Sequence, residues 1–146
     1  MIYDNIEILF VEDSADDAML TMRALKKSGF NNKLLHLADG AEALDFIFCR
    51  GIYQNRNIKD HPKLILLDLK MPKVSGLQVL AKIKADPELK SIPVVMLTSS
   101  NEGPDIERCY ELGANSYIVK PVDSDKFFHA IKEIGMYWML LSQPGN

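Results

Sequence analysis

A doubly wound α/β fold built on one parallel five-stranded sheet is predicted by three observations. Five short apolar runs alternate with five segments of helical periodicity. The runs at 6–11, 64–67 and 93–97 are almost continuously apolar, the pattern of strands covered on both faces. The connections between runs and helical segments are mostly short, so right-handed crossovers place helices on both sides of the sheet. The strand order expected for this (βα) pattern, repeated five times, is 2-1-3-4-5. Ligands of such sheets bind beyond the carboxyl ends of the strands, where strand order reverses between the first and third.

The first strand is expected at 6–11, and the first helix at 16–28, stopped by Gly29 and marked by Met19, Met22 and Leu25 at every third position. A strand at 33–37 follows. Asp39 and Glu42 then have the spacing of a capping box and open a helix carrying Ala43, Leu44, Ile47 and Phe48. Residues 50–63 form a longer connection, with Gly51, Asn55, Asn57 and Pro62, and read as a surface loop. The third strand is placed at 64–67, and Leu77, Leu80, Ala81 and Ile83 mark the helix ahead of Pro87. The fourth strand and helix are placed at 93–97 and 104–112, the fifth strand at 116–119. A last helix is expected to run from 123 to about 141, passing Phe127, Ile131, Ile134, Tyr137, Trp138 and Leu141.

Composition narrows the function classes. At 146 residues the chain fits a single domain, 1–146, with a full hydrophobic core and no appended output domain. No apolar stretch has the length of a membrane span, and the first residues lack a basic region, so a cytoplasmic protein without membrane contact is expected. Cys49 and Cys109 lack CxxC spacing and read as free thiols in a reducing compartment. A formal net charge of −3 without a basic block argues against direct nucleic-acid binding.

The chemistry-bearing residues sit at strand ends. The first strand runs into Glu12 and Asp13, the third into Asp68, the fourth into Thr98 and Ser99, the fifth into Lys120 and Pro121. Three carboxylates in one cleft repel each other and raise the pKa of at least one unless a cation compensates. A hard divalent ion with oxygen ligands fits, and Asp13 and Asp68 offer two such ligands. Zinc does not fit, because His36, His61 and His129 are scattered without metal-ligand spacing. A lone strand-end Asp usually caps a turn, but Asp68 meets two further acids, a threonine and a lysine, where a carboxylate oxygen can attack phosphorus.

The acidic pair, the apolar strand ending in Asp68, the run Leu69-Lys70-Met71-Pro72 followed by Gly76, the Thr98-Ser99 strand end and Lys120-Pro121 together resemble the receiver domain of two-component response regulators, a flavodoxin-like sandwich. The resemblance spans nearly the whole chain. It implies a phosphoacceptor signalling protein rather than a turnover enzyme, with Asp68 phosphorylated by a sensor histidine kinase. It implies Mg2+, with Mn2+ or Ca2+ able to substitute, held by Glu12, Asp13, Asp68 and the Lys70 carbonyl. Thr98 and Lys120 would grip the phosphoryl oxygens, Tyr117 would be the aromatic switch residue, and Pro121 would follow a cis peptide bond. The output surface would be the fourth helix, fifth strand and fifth helix, with the kinase docking near the first helix. Ser99 departs from the family, which more often has alanine there. Lys70 and Ser100 occupy positions that in this family influence phosphoryl lifetime.

The long loop after the second helix and the extended last helix resemble the small regulators that partner bacterial phytochrome histidine kinases. Apolar surface on that helix, at Phe127, Ile131, Ile134, Tyr137, Trp138 and Leu141, exceeds what one sheet needs to cover, so a homodimer interface is expected there. Two other classes fit less well. An Asp-nucleophile phosphatase would carry a second acid two residues on, where this chain has Lys70. A flavodoxin-like electron carrier would need a Ser/Thr/Gly-rich phosphate loop where this chain has Glu12-Asp13-Ser14.

Overall fold

The structure, a computed structural model, describes residues 3–30 and 32–136. Five parallel strands form its sheet: β1 (Ile8–Val11), β2 (Leu34–Leu37), β3 (Leu64–Asp68), β4 (Val94–Thr98) and β5 (Ser116–Val119). Their order is β2-β1-β3-β4-β5, the doubly wound arrangement the alternation of runs predicts. The helices are α1 (Ala15–Lys27), α2 (Gly40–Ile47), α3 (Gly76–Ala85), α4 (Gly103–Glu111) and α5 (Ser124–Glu133).

Two-sided burial explains the continuous apolar runs. Leu9, Val11, Ile65, Leu67, Val94 and Met96 face a core shared with α2, α3 and α4. Their strand neighbours Ile8, Phe10, Leu64, Leu66, Val95 and Leu97 face the opposite core under α1 and α5. Successive side chains on a strand point to opposite faces, so a strand with helices on both sides has no polar position to spare. The carboxyl ends of β1, β3 and β4 therefore emerge from a fully apolar sheet, and the first polar residues beyond them gather at one edge.

Helix ends are set by local side chains. Ser14 caps α1 and Asp39 caps α2, each accepting from a backbone amide of the first turn. The second half of the expected Asp39–Glu42 capping box is not made, because Glu42 Oε2 accepts instead from the Tyr53 hydroxyl at 3.0 Å. A complete box opens α3, where the Ser75 and Gln78 side chains each bond the other's backbone amide.

Three expectations are corrected. The methionines expected on the buried stripe of α1 lie outside it: Met19 is 60% and Met22 39% exposed, while Ala18, Thr21, Ala24 and Leu25 face the sheet. The buried stripe of α1 is carried by these mostly small residues, and the methionines lie on the solvent side of the helix. The loop at 50–63 carries its own packing rather than only crossing the surface. Tyr53 is buried edge-on against Phe46, and the Arg56 guanidinium lies 3.8 Å over the Phe46 ring while donating to the carbonyls of Phe46 and Asp60. Cation–π contact and carbonyl pairing together fix a loop that composition alone leaves open.

The third correction concerns α5, which closes at Glu133, short of the expected 141. The chain turns at Gly135, φ +77°, a left-handed value that glycine adopts without Cβ strain, and Met136 folds back into the core. Phe127 and Ile131 are completely buried and hold α5 to the sheet, so they offer no surface to a partner, while Ile134 is half-buried against the same cluster. Tyr137, Trp138 and Leu141 lie outside the described residues. Among the described residues no helix is long and apolar enough to cross a membrane.

Candidate functional site

The carboxyl edge of the sheet holds a small cleft of about 160 Å³, lined by Glu12, Asp13, Ser14, Asp17, Asp68, Leu69, Lys70, Thr98, Ser99 and Lys120. Parallel register creates it. Val11 pairs with Leu67 and Asp68 with Leu97, so the residues following β1, the end of β3 and the end of β4 come level. Lys120 is joined to the same level by its backbone amide, which donates to the Thr98 carbonyl at 2.7 Å. The Lys120–Pro121 peptide bond is cis.

Glu12 and Asp68 are buried and Asp13 is exposed, and one carboxylate oxygen from each lies within 4.8 Å of the others. Lys120 Nζ sits among the acids, 2.7 Å from Glu12 Oε1, 3.0 Å from Asp68 Oδ1 and 3.1 Å from Asp17 Oδ2. Burial of Asp68 pushes its carboxyl up to about 7; Lys120 opposes this shift and the nearby Glu12 adds to it. Burial alone would lower the Lys120 ammonium, but its contacts with Glu12, Asp68 and Asp17 outweigh that and raise it above the ordinary lysine range. One lysine is thus outnumbered by carboxylates.

The donor set fits a hard divalent cation. Glu12 Oε1 is buried, in contact with the Lys120 ammonium at 2.7 Å. Three carboxylates that each offer an oxygen within 4.8 Å of the others, with one lysine shared among the acids, supply the all-oxygen ligation that magnesium and manganese take.

Thr98 ends β4 buried, and its hydroxyl is engaged locally: Oγ1 accepts from the Ser100 amide at 2.9 Å and donates to the Ser100 carbonyl at 3.3 Å. Tyr117 lies on β5, half-buried, its ring edge-on to Tyr110 of α4 with centroids 5.9 Å apart. Below it a groove of about 370 Å³ runs between Tyr110, Tyr117, Lys126, His129 and Glu133. Among the side chains of α4 only Cys109 is buried, so little packing fixes that helix beside the groove.

The structure brings Glu12, Asp13, Asp68, Lys70, Thr98 and Lys120 together, and places Tyr117 outside the cleft on the neighbouring strand. Asp17 belongs to the cleft as well, although it follows no apolar strand and the strand-end pattern does not single it out. Helical spacing does not mark it either, since Asp13 precedes the Ser14 cap and lies outside α1.

Comparison with known proteins agrees with this geometry. The family model described as the response regulator receiver domain matches residues 8–132. Response regulator Rcp1 of Synechocystis sp. is 42% identical over 132 residues, covering 90% of this chain and 88% of the relative. Its Mn(2+)-bound crystal structure has a TM-score of 0.74 at 41% identity, covering 94% of this chain and 96% of that one. The bacteriophytochrome response regulator AtBRR superposes with a TM-score of 0.83 at 48% identity, covering 94% of this chain and 97% of that one. The phosphorylated cyanobacterial phytochrome response regulator RcpA gives 0.75 at 38% identity, covering 96% and 98%. With the fold, the acidic edge and a family model spanning most of its length in agreement, the chain belongs to the response regulator receiver domain family.

Proposed function

We propose that this protein is a phosphorylation-activated response regulator of a two-component phosphorelay, in which Asp68 accepts a phosphoryl group from a sensor histidine kinase. The observation that carries the reading is a buried Asp68 carboxylate 3.0 Å from Lys120 Nζ, grouped with Glu12 and Asp13 as a divalent-cation donor set. An Asp68 oxygen attacks phosphorus, forming the acyl phosphate bond as the phosphorus–nitrogen bond of phosphohistidine breaks and its electron pair leaves on imidazole. Glu12, Asp13, Asp68 and the Lys70 carbonyl would hold Mg2+, with Mn2+ or Ca2+ as substitutes, and the cation supplies charge against the phosphoryl oxygens. The Mn(2+)-bound form of Rcp1 supports this assignment. Lys120 donates to a second phosphoryl oxygen and Thr98 to a third after giving up its Ser100 bonds. Phosphorylation is the protein's own covalent modification, and no substrate is turned over.

Output runs through the lightly packed side. Movement of the Thr98 hydroxyl vacates space beside β5, Tyr117 turns inward, and the α4–β5–α5 surface changes. Coupling of this kind is about 1–3 kcal/mol, enough for roughly five- to 150-fold in partner affinity. The likeness to AtBRR and RcpA favours a phytochrome-type kinase, docking near α1, where Met19 and Met22 are exposed. The assembly is a homodimer in the cytoplasm. Sedimentation of the full chain is expected to show a dimer; a monomer at tens of micromolar protein, with and without acetyl phosphate, removes this part of the proposal.

Incubation with acetyl phosphate and magnesium, read by intact mass, tests the central claim. One alkali-labile phosphoryl adduct is expected, absent in Asp68→Asn and absent without magnesium. No adduct, under conditions that phosphorylate a control receiver, overturns the reading.

A further inference from the structure

The Lys120 ammonium has three hydrogens and three carboxylate neighbours. Under the phosphoacceptor reading, on which the role of Asp17 rests, two of those neighbours are called away when the site works. Glu12 turns to the cation, and the Asp68 oxygen becomes part of the acyl phosphate. Asp17 alone has no other duty, and its Oδ2 already accepts a hydrogen bond from Nζ at 3.1 Å.

Local structure fixes where the Asp17 carboxylate stands. Ser14 caps α1 by accepting from the Asp17 amide at 3.2 Å, which sets the first turn against the cleft. The opposite end of the contact is fixed too, since Lys120 follows β5 with its amide bonded to Thr98. Between these anchors lies a long, flexible lysine side chain that would otherwise lose rotamer freedom each time it reached the phosphoryl group. We infer that Asp17 is a positioning residue for phosphoryl transfer, tethering the Lys120 ammonium over Asp68 while Glu12 and Asp68 are engaged elsewhere.

Two rival effects have to be weighed. As an acid in a first turn, Asp17 interacts with the helix dipole, but Asp16 shares that turn and only Asp17 touches Lys120. Asp17 also offsets part of the lysine's charge, which would slow the reaction. Its side chain is 42% exposed, so water screens this offset, whereas the contact still decides where the ammonium sits. Tethering is therefore the larger effect, and loss of Asp17 slows phosphorylation.

The test is the rate of phosphorylation by acetyl phosphate at saturating magnesium, followed by intact mass in the full chain. Asp17→Ala is expected to slow it roughly three- to tenfold, the scale of one lost hydrogen bond. Asp16→Ala, which removes a charge from the same turn, stays within about twofold of the native rate. In a Lys120→Ala background the Asp17→Ala change has no further effect, because its action passes through the lysine. Asp17→Asn, nearly isosteric, carries the comparison if Asp17→Ala melts early. Native speed in the Asp17 variants, or an equal slowing with and without Lys120, overturns the inference. Absence of any adduct on the native chain defeats the phosphoacceptor reading and this inference with it; native phosphorylation matched by Asp17→Ala defeats this inference alone.

Discussion

Asp68→Asn is expected to stabilise the metal-free protein, and increasingly so as pH rises from about 4 to 7. Burial raises the Asp68 carboxyl from 3.8 to about 7, so in that window the native state binds a proton that the unfolded chain has released. Stability contributed by the protonated form is present below the unfolded value and is lost as pH climbs through the folded one. Above pH 7 the buried carboxylate is ionised at full cost. A tenfold change in proton affinity is worth about 1.4 kcal/mol, so the penalty amounts to a few kcal/mol. Asparagine removes the charge without emptying the space, and Lys120 keeps Glu12 and Asp17 as partners. Thermal melts in EDTA at pH 8 should place the variant on the order of 5–10 °C above the native chain, with the gap closing toward pH 4. Magnesium should raise the native protein far more than the variant, because the cation neutralises the charge that asparagine lacks. Parallel melting of the two proteins from pH 4 to 8 would show that Asp68 does not carry this strain.

Why the fold was readable while parts of the surface were not has a physical basis. Strands such as Leu64–Asp68 are apolar without alternation only where helices cover both faces, and that constraint leaves a signature in local sequence. Glu12, Asp68 and Thr98 stood out because each is the first polar group after such a run. Asp17 carried no comparable mark, since an acid in a first helical turn is common for reasons of dipole alone. Met19 and Met22 misled because spacing in threes fixes a stripe but not which stripe meets the core; the buried one carries Ala18, Thr21, Ala24 and Leu25. The end of α5 depended on Gly135 overriding the apolar residues after it. The packed loop rested on Arg56 reaching back to Phe46, a contact between side chains that periodicity cannot register.

Gly76→Ala is expected to damage both stability and phosphorylation, because that position touches the backbone carrying the acceptor. A Cβ built there would collide with the Asp68 carbonyl oxygen and lie 3.0 Å from the Leu69 Cα, with only backbone atoms to give way. The same junction is tied by the Gly76 amide, which donates to the Leu69 carbonyl at 3.0 Å. Alanine must therefore push α3 off the end of β3 or shift the Asp68–Leu69 peptide, and either response moves the acceptor carboxylate or the adjoining Lys70. Overpacking of this kind costs roughly 1–3 kcal/mol, to be read as a lower urea midpoint at unchanged slope. The kinetic effect should be larger. A displacement on the order of 1 Å at the reacting centre costs about a hundredfold in rate, which the acetyl phosphate assay would resolve. Gly103→Ala is the matched control: that glycine begins α4 with nothing within 4 Å of an added Cβ, so both stability and rate should hold. Equal behaviour of the two alanine variants would mean that the Asp68 backbone has more freedom than its contact with Gly76 implies. A Gly76 variant that keeps its stability but loses phosphorylation would locate the damage in the placement of Asp68 rather than in the fold.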